Sequence, residues 1–332
     1  MLTRRASWSL LVLGYLCLVA ALIVVACATQ KNCPPSAASL VPQGGWASAP
    51  PQTQDHGLLW RIEKDGRASW LYGTAHIARP EWMRPGPKVQ QALQQSDVIA
   101  LEINFETDPT ARQMQAGGSS SKVVVDLLTK AQRERVTRLL EKSCLPAELS
   151  APADPLGLMR LFVSLNSASM QADGLYAEFG IDRYLTGYAR QAKMPLIGLE
   201  TGAGQLKALG GDDRSKTLSE TIDKALDTFE SDKRRTLVVA ATNAWARGDL
   251  DKLEHYADWC DCLKTPEDQA RHERMITGRH PGMVKEIERL HADGQRVFAA
   301  VGALHMAGTK SVPALLAEHG FQVTKVFPAE HP

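Results

Sequence analysis

The chain has 332 residues, 44% of them hydrophobic and 23% charged, with a formal net charge of +1. This is enough apolar sequence for one large domain or two small ones with a sizeable core. The near-neutral balance, with no long basic run interleaved with aromatics, excludes a bulk electrostatic pull toward nucleic acid or an acidic partner.

The N-terminus opens with Arg4 and Arg5 and continues as a long uncharged apolar run, the pattern of an export signal. The run can end in three ways. Val24 to Cys27 fits a loose lipobox with Cys27 lipidated, Ala26-Cys27-Ala28 fits cleavage after Ala28, and the run is long enough to stay as an anchor. Lipidation is the leading expectation. In a bacterial host each ending puts the folded part outside the cytoplasm, tethered on the periplasmic side of a membrane, with secretion as the second choice. Residues 1–28 are therefore read as signal or anchor. Residues 29–57, rich in Pro, Ser, Gly and Ala, read as a tether with no core of their own.

Beyond the signal lie Cys33, Cys144, Cys260 and Cys262. Export favours disulfides, and four cysteines allow three pairings. Cys260 and Cys262 are poor partners for each other because the ring would be tiny. The expectation is a bridge from Cys144 or Cys33 to the Cys260/Cys262 pair. This outweighs both a metal role for "WCDCL" and a nucleophilic role for Cys144.

The fold is expected to occupy 58–330. Two β-prone segments flank Asp65-Gly66, a strong hairpin signal. "PKVQQALQQSD" reads as a short helix and "VIALEIN" (Val98 to Asn104) as a buried strand carrying Glu102. This strand–helix–strand order predicts a parallel pairing. "AGGSSSK" (116–122) lacks nucleotide-loop spacing and reads as a mobile loop. The middle is mainly helical: Val136, Leu139 and Leu140 share one helix face, as do Ile181, Tyr184, Leu185 and Tyr188. "MPLIGLET" reads as a short strand ending near Glu200, and helices follow from Leu206 to about Ala292. In "AWARGDL", Trp245 reads as a packed aromatic, Gly248 as a helix end and Asp249 as the next cap. "QRVFAAVGALH", "SVPALLAEHG" and "FQVTKVF" read as strand, helix and strand. The fold class is α/β: a central, mostly parallel sheet built from both chain ends, with a helical insertion over about 107–292 interrupted by a strand at 195–200.

The candidate chemistry sits at strand ends. "LYGTAH" gives Gly73 and His76, and "VGALH" gives Gly302 and His305. A glycine permits a sharp turn, and a histidine three residues on lies just past the strand's C-terminal edge, where open α/β sheets place ligands. Glu102 and Glu200 end apolar strands, where a carboxylate is costly unless paired or bound to metal. Two imidazoles with one or two carboxylates suit a divalent ion. Any one Gly-x-x-His is weak, and the doubled motif in matching contexts is the signal. Arg279, in "TGRHPGM", reads on its own as a solvent-facing side chain before an amphipathic helix.

Taken in order, "YGTAH", "ALEIN", "GIDRYLTGYARQAKMPLIGLET", "AWARGDLDKL", "GRHPGM" and "VFAAVGALHMAG" resemble the TraB/GumN family, which includes the TIKI Wnt-cleaving proteases and the pheromone-shutdown proteins. The resemblance spans Leu58 to Phe327. It implies a fold similar to the erythromycin esterase and ChaN-like group, and a metal-dependent peptidase activity. The metal implied is manganese or cobalt, with zinc as the alternative. The family's two Gly-x-x-His motifs match Gly73/His76 and Gly302/His305, its strand-end glutamate matches Glu102, and its Gly-Leu-Glu matches Gly198-Leu199-Glu200. Its Arg-Asn pair matches Arg279, but His280 stands where the asparagine is expected.

The resulting expectation is a metal-assisted hydrolase acting on a peptide or protein. His76, His305 and Glu102 are the metal ligands, with Glu102 alternatively the base. Arg279 stabilises an oxyanion or holds a substrate carboxylate, and Glu200 is a supporting acid. Two rivals stand beside it: a metal-independent esterase-type hydrolase using His and Glu directly, and a non-catalytic binder of a peptide or haem-like ligand. Oligomeric state is not legible.

Overall fold

Asp65 and Gly66 both adopt positive φ, 52° and 70°, the backbone that a tight two-residue hairpin turn requires. Strand β1 (Leu58–Lys64) therefore folds back on β2 (Arg67–Thr74), with Lys64 opposite Arg67. The computed structural model describes residues 33–45, 50–115, 127–210 and 217–328. The expected export signal with Cys27, and the loop at 116–122, lie outside the described residues. Among the described residues no helix is long and apolar enough to cross a membrane.

Strands β3 (Val98–Leu101), β4 (Leu196–Gly198), β5 (Val297–Gly302) and β6 (Gln322–Phe327) complete a six-stranded sheet of order β4-β3-β5-β2-β1-β6. β2, β5, β3 and β4 run parallel, and β1 is antiparallel to both its neighbours. The α/β architecture built from both chain ends is as the sequence implied. One pairing is not. β2 and β3, expected as partners across helix α1 (Pro87–Gln94), are separated by β5, which pairs with each. β5 is the strand suited to the middle, because Val297 to Val301 are fully buried, as a parallel strand covered on both faces must be.

The remaining helices are α2 (Pro109–Gln115), α3 (Lys130–Lys142), α4 (Pro155–Gln171), α5 (Ile181–Ala192), α6 (Gly202–Gly210), α7 (Leu218–Glu230), α8 (Lys233–Ala246), α9 (Leu250–Glu254), α10 (Tyr256–Trp259), α11 (Pro266–Met275), α12 (His280–Ala292) and α13 (Val312–Glu318). Capping boxes at Thr129/Gln132, Thr217/Glu220 and Thr265/Asp268 start α3, α7 and α11 by satisfying the first free N–H groups. The main core joins the strands to Val89 and Leu93 of α1, Ile181 and Leu185 of α5, and Met283, Val284 and Ile287 of α12. A second cluster, with Val136, Leu140, Leu161, Leu165, Ile222 and Leu226, holds the helical insertion together. Trp245 is 1% exposed, Gly248 takes φ 68°, and Asp249 caps α9 through the Lys252 N–H, all as expected.

Two expectations are revised. Part of the expected tether, within 35–45 and 50–57, packs into the domain. Ala37 and Leu40 pack on the core, and Asp55 is buried and accepts from the Lys88 and Val89 N–H groups at the start of α1. The second revision is the disulfide: Cys260 pairs with Cys262, and Cys33 and Cys144 are each disulfide-bonded as well. The short ring forms because Asp261 takes φ 52°, which folds the chain back and brings the two Cα atoms to 5.0 Å, within the usual disulfide range.

Candidate functional site

The C-terminal ends of β2, β5, β3 and β4 meet at one edge of the sheet. Thr74 pairs with Gly302 there, Leu101 with Ala300 and Gly198. The chain leaves each strand carrying one candidate residue: His76, His305, Glu102 and Glu200. Backbone pairing runs on past the strands, from the Glu200 N–H to the Glu102 carbonyl at 2.9 Å, which sets the two glutamates side by side. Arg279, between α11 and α12, closes the group. The structure thus gathers all five residues singled out in the sequence.

Glu102 is the centre of the arrangement. Its Oε1 accepts from the Gly302 N–H at 2.7 Å and lies 3.7 Å from His76 Nε2 and 3.6 Å from His305 Nε2. Its Oε2 accepts from Arg279 Nη2 at 2.5 Å and from Gln205 Nε2 at 2.9 Å. Burial would raise the Glu102 pKa, but the surrounding His305, His76 and Arg279 groups and the Gly302 N–H bring it down to about 2. Glu102 is therefore a carboxylate at neutral pH.

Arg279 is not solvent-facing; its side chain is 14% exposed. Its Nε donates to Glu200 Oε2 at 2.9 Å, and Nη2 donates to both Glu102 and Glu200. Nη1 donates to the Met275 carbonyl at 2.8 Å and contacts His305 Nε2 at 3.3 Å. All five N–H groups of the guanidinium thus have partners. Burial alone would lower its pKa, and the Glu200 and Glu102 carboxylates more than offset this.

The two histidines differ. His76 has a side chain 64% exposed, so the site opens to solvent beside it. Its Nδ1 lies 2.7 Å from Asp182 Oδ2, while Thr74 Oγ1 donates to Asp182 Oδ1. The Asp182 carboxylate is the main cause that raises the His76 pKa to about 9, against the opposing effect of desolvation. Asp182 sits in the first turn of α5, and that turn is tied to the His76 loop. The Ile181 N–H donates to the Ala75 carbonyl, and a Cβ on Gly180 would fall 2.3 Å from the His76 carbonyl oxygen. His305, by contrast, is 3% exposed, in a short 3-10 turn after β5. Burial drives its pKa down to about 3, so its ring is neutral. His305 Nδ1 lies 2.9 Å from Nε2 of the fully buried His280, whose Nδ1 lies 2.5 Å from the Lys310 carbonyl oxygen.

The glycines of the doubled motif are there for space. Gly302 has φ −52° and ψ 142°, a backbone open to any residue. A Cβ on it, however, would lie 3.2 Å from Glu102 Oε1, 3.4 Å from His76 Nε2 and 3.6 Å from His305 Cδ2. The space beside Gly302 is therefore the point on which the three groups converge. On Gly73 a Cβ would instead meet Met306 Cγ at 3.1 Å and Leu58 Cβ at 3.2 Å, in the core.

Among the described residues no group of three His, Cys, Asp or Glu side chains stands as a formed metal cluster. The donor set beside Gly302 nonetheless fits a divalent ion in type: two imidazole nitrogens and a carboxylate oxygen, with a cradle that a methyl would fill. Ligand atoms around one tetrahedral ion lie roughly 3.4 Å apart, and the Glu102–His separations exceed that by a few tenths of an ångström.

Asp182 and Gln205 complete the site and carry no assignment from sequence, while His280, which stands in place of the family asparagine, hydrogen-bonds to His305. Asp182 lies inside "GIDRYLTGYARQAK" but reads there as an ordinary acidic residue in a first helical turn. Gln205 carries no local signal.

A model of the TraB/PrgY/gumN family matches residues 58–325, and the chain belongs to that family. No curated protein and no solved structure matches it.

Proposed function

We propose that this chain is a metal-assisted hydrolase acting on a peptide bond in a peptide or protein substrate. The observation that carries the reading is that His76 Nε2 and His305 Nε2 lie 3.7 and 3.6 Å from one oxygen, Glu102 Oε1, next to Gly302. Those three side chains would hold a divalent ion, manganese or cobalt by family likeness, with zinc as the alternative, and His76 would release its proton to solvent on ligating. Such an ion, when bound, lowers the pKa of a water molecule and polarises a carbonyl.

The protein's own groups divide the remaining work. Glu102 Oε2 is held by Arg279 and Gln205, whereas Oε1, which accepts from the Gly302 N–H, faces both histidines and is the atom that would ligate or take a proton from water. Glu200 holds Arg279 in place through two hydrogen bonds. The Nη1–H of Arg279 that touches His305 Nε2 is a donor available to an oxyanion once that nitrogen is otherwise engaged. The export signal and Cys27 would tether the enzyme to a membrane on its periplasmic side.

A second reading rests on the His76–Asp182 pair. A carboxylate 2.7 Å from Nδ1 orients an exposed imidazole, and in the unprotonated form reached as pH rises past its raised pKa of about 9, Nε2 can take a proton from water without a metal. One experiment separates the two: metal content and peptide-library cleavage by the chain lacking its first 28 residues, before and after chelation. Cleavage lost on chelation and restored by manganese or cobalt supports the metal reading. Cleavage unchanged in metal-free protein overturns it in favour of the second. No cleavage with any metal overturns both.

A further inference from the structure

We propose that His280 is a positioning residue that fixes the tautomer of His305, holding its Nε2 unprotonated and aimed into the site. The argument is one of donors and acceptors taken from both ends of a chain. A guanidinium can only donate, so the Arg279 Nη1 contact at 3.3 Å requires His305 Nε2 to accept. A carbonyl can only accept, so the Lys310 carbonyl at 2.5 Å requires His280 Nδ1 to carry its hydrogen. Between them, His305 Nδ1 and His280 Nε2 stand 2.9 Å apart, and that bond needs one donor and one acceptor. Only one assignment satisfies all three contacts with neutral rings. His305 Nδ1–H donates to His280 Nε2, and His280 Nδ1–H donates to the Lys310 carbonyl.

The geometry supports a dedicated role. The rings meet edge-on at 76°, with centroids 5.1 Å apart, so the hydrogen bond also sets the plane of the His305 ring. His280 is fully buried and begins α12, directly after Arg279. Two consecutive residues therefore address the two nitrogens of one imidazole: Arg279 touches Nε2 and His280 touches Nδ1. The hydrogen bonds of His280 run to the Lys310 carbonyl on one side and to His305 on the other, so its link to the ligand space passes through the His305 ring.

The consequence for metal binding rests on the proposed function; the tautomer itself does not. A ligating imidazole binds through its bare nitrogen, and an acceptor at the other nitrogen both selects that form and raises its basicity. In the opposite tautomer, Nε2 would carry a hydrogen toward the ligand space and could not bind.

Nitrogen-labelled histidine spectra of the full chain, with His305 assigned by the signal lost in His305→Gln, test the tautomer directly. The expected result is protonated Nδ1 and bare Nε2. A protonated Nε2 in the wild-type chain overturns the proposal, whatever the variants do. His280→Leu removes the acceptor, and His280→Gln restores an amide oxygen at a similar reach. His280→Leu should release His305 into a tautomer mixture and weaken binding of Mn²⁺ or Co²⁺ by about 10–100-fold. His280→Gln should recover the wild-type spectrum and most of the affinity. Wild-type spectra and metal affinity in a folded His280→Leu chain would overturn the proposal. A wild-type chain with the expected tautomer but no affinity for either metal would leave the positioning role standing and defeat the metal-assisted reading instead.

Discussion

Gly302→Ala separates the site from the scaffold. The backbone at Gly302, φ −52° and ψ 142°, suits alanine without strain. At such a position Gly→Ala stabilises by about 0.4–1 kcal/mol by narrowing the unfolded ensemble. The new methyl lies 3.2 Å from Glu102 Oε1 and 3.4 Å from His76 Nε2, so those side chains must give by a few tenths of an ångström. The two effects oppose, and net stability should stay within about 1 kcal/mol of wild type, a Tm change of at most roughly 4 °C. Function should fall. The methyl presses on Glu102 Oε1, His76 Nε2 and the His305 ring, and since displacement of a reacting group by about 1 Å costs on the order of 10²-fold, shifts of a few tenths should still lower turnover several-fold. Thermal melts, Mn²⁺ or Co²⁺ uptake and peptide turnover measured on one preparation make the test. Gly73→Ala is the control, because its methyl meets Met306 and Leu58 in the core. It should lose about 1–3 kcal/mol through overpacking. A Gly302→Ala chain with wild-type turnover and metal uptake refutes the assignment of that space. A loss of stability as large as that of Gly73→Ala would mean the change acts by packing.

Asp182→Asn removes the main cause of the raised His76 pKa, so the His76 titration should fall from about 9 toward the ordinary 6.5, read from its ring resonances in metal-free protein. Stability should decline in acid. The folded His305 pKa is about 3 against 6.5 ordinarily, so the unfolded chain takes up a proton that the folded chain refuses. The stability this gives is complete above about pH 6.5 and is lost as pH falls toward 3; denaturant melts across that window should show the slope, and His305→Gln should flatten it. Arg279→Met leaves Glu102 and Glu200 side by side without their shared cation, with side chains only 8% and 14% exposed. Loss of one member of such a buried ionic group should cost about 3–5 kcal/mol in denaturant unfolding, and a loss below about 1 kcal/mol would show the guanidinium is not what holds the carboxylates.

Much of this fold is legible because it is local. The hairpin follows from Asp65-Gly66, the helix starts from Thr129, Thr217 and Thr265, and the buried strands from unbroken apolar runs. What stays hidden depends on which parts meet. Nothing in "VFAAVG" says that it slips between β2 and β3, and no periodicity relates Gln205 to Glu102 or Asp182 to His76. Cys260 and Cys262 defied a rule about ring size because one residue, Asp261, took a left-handed backbone. His305 reads as a peripheral strand-end side chain, yet it is buried between two polar partners.

The doubled motif shows most clearly how a repeated pattern can diverge in space. β2 and β5 are adjacent and parallel, so both Gly-x-x-His segments leave the same edge of the sheet. Their register is offset by one residue, Thr74 opposite Gly302 and Gly73 opposite Val301. That offset puts Gly302 against the donor atoms while Gly73 faces the core. The histidines diverge in the same way. His76 is open to solvent with a carboxylate behind it, which favours a held proton; His305 is buried with a neutral imidazole behind it, which favours a bare nitrogen. Two copies of one motif thus bring unlike imidazoles to a single carboxylate oxygen. An exchange of their partners, with an acid behind His305 and a neutral group behind His76, would make the buried ring the cation and the exposed ring neutral. The Arg279 guanidinium, fixed 3.3 Å from His305 Nε2, could not tolerate that charge. The asymmetry of the two copies therefore follows from the burial of His305 together with the placement of Arg279.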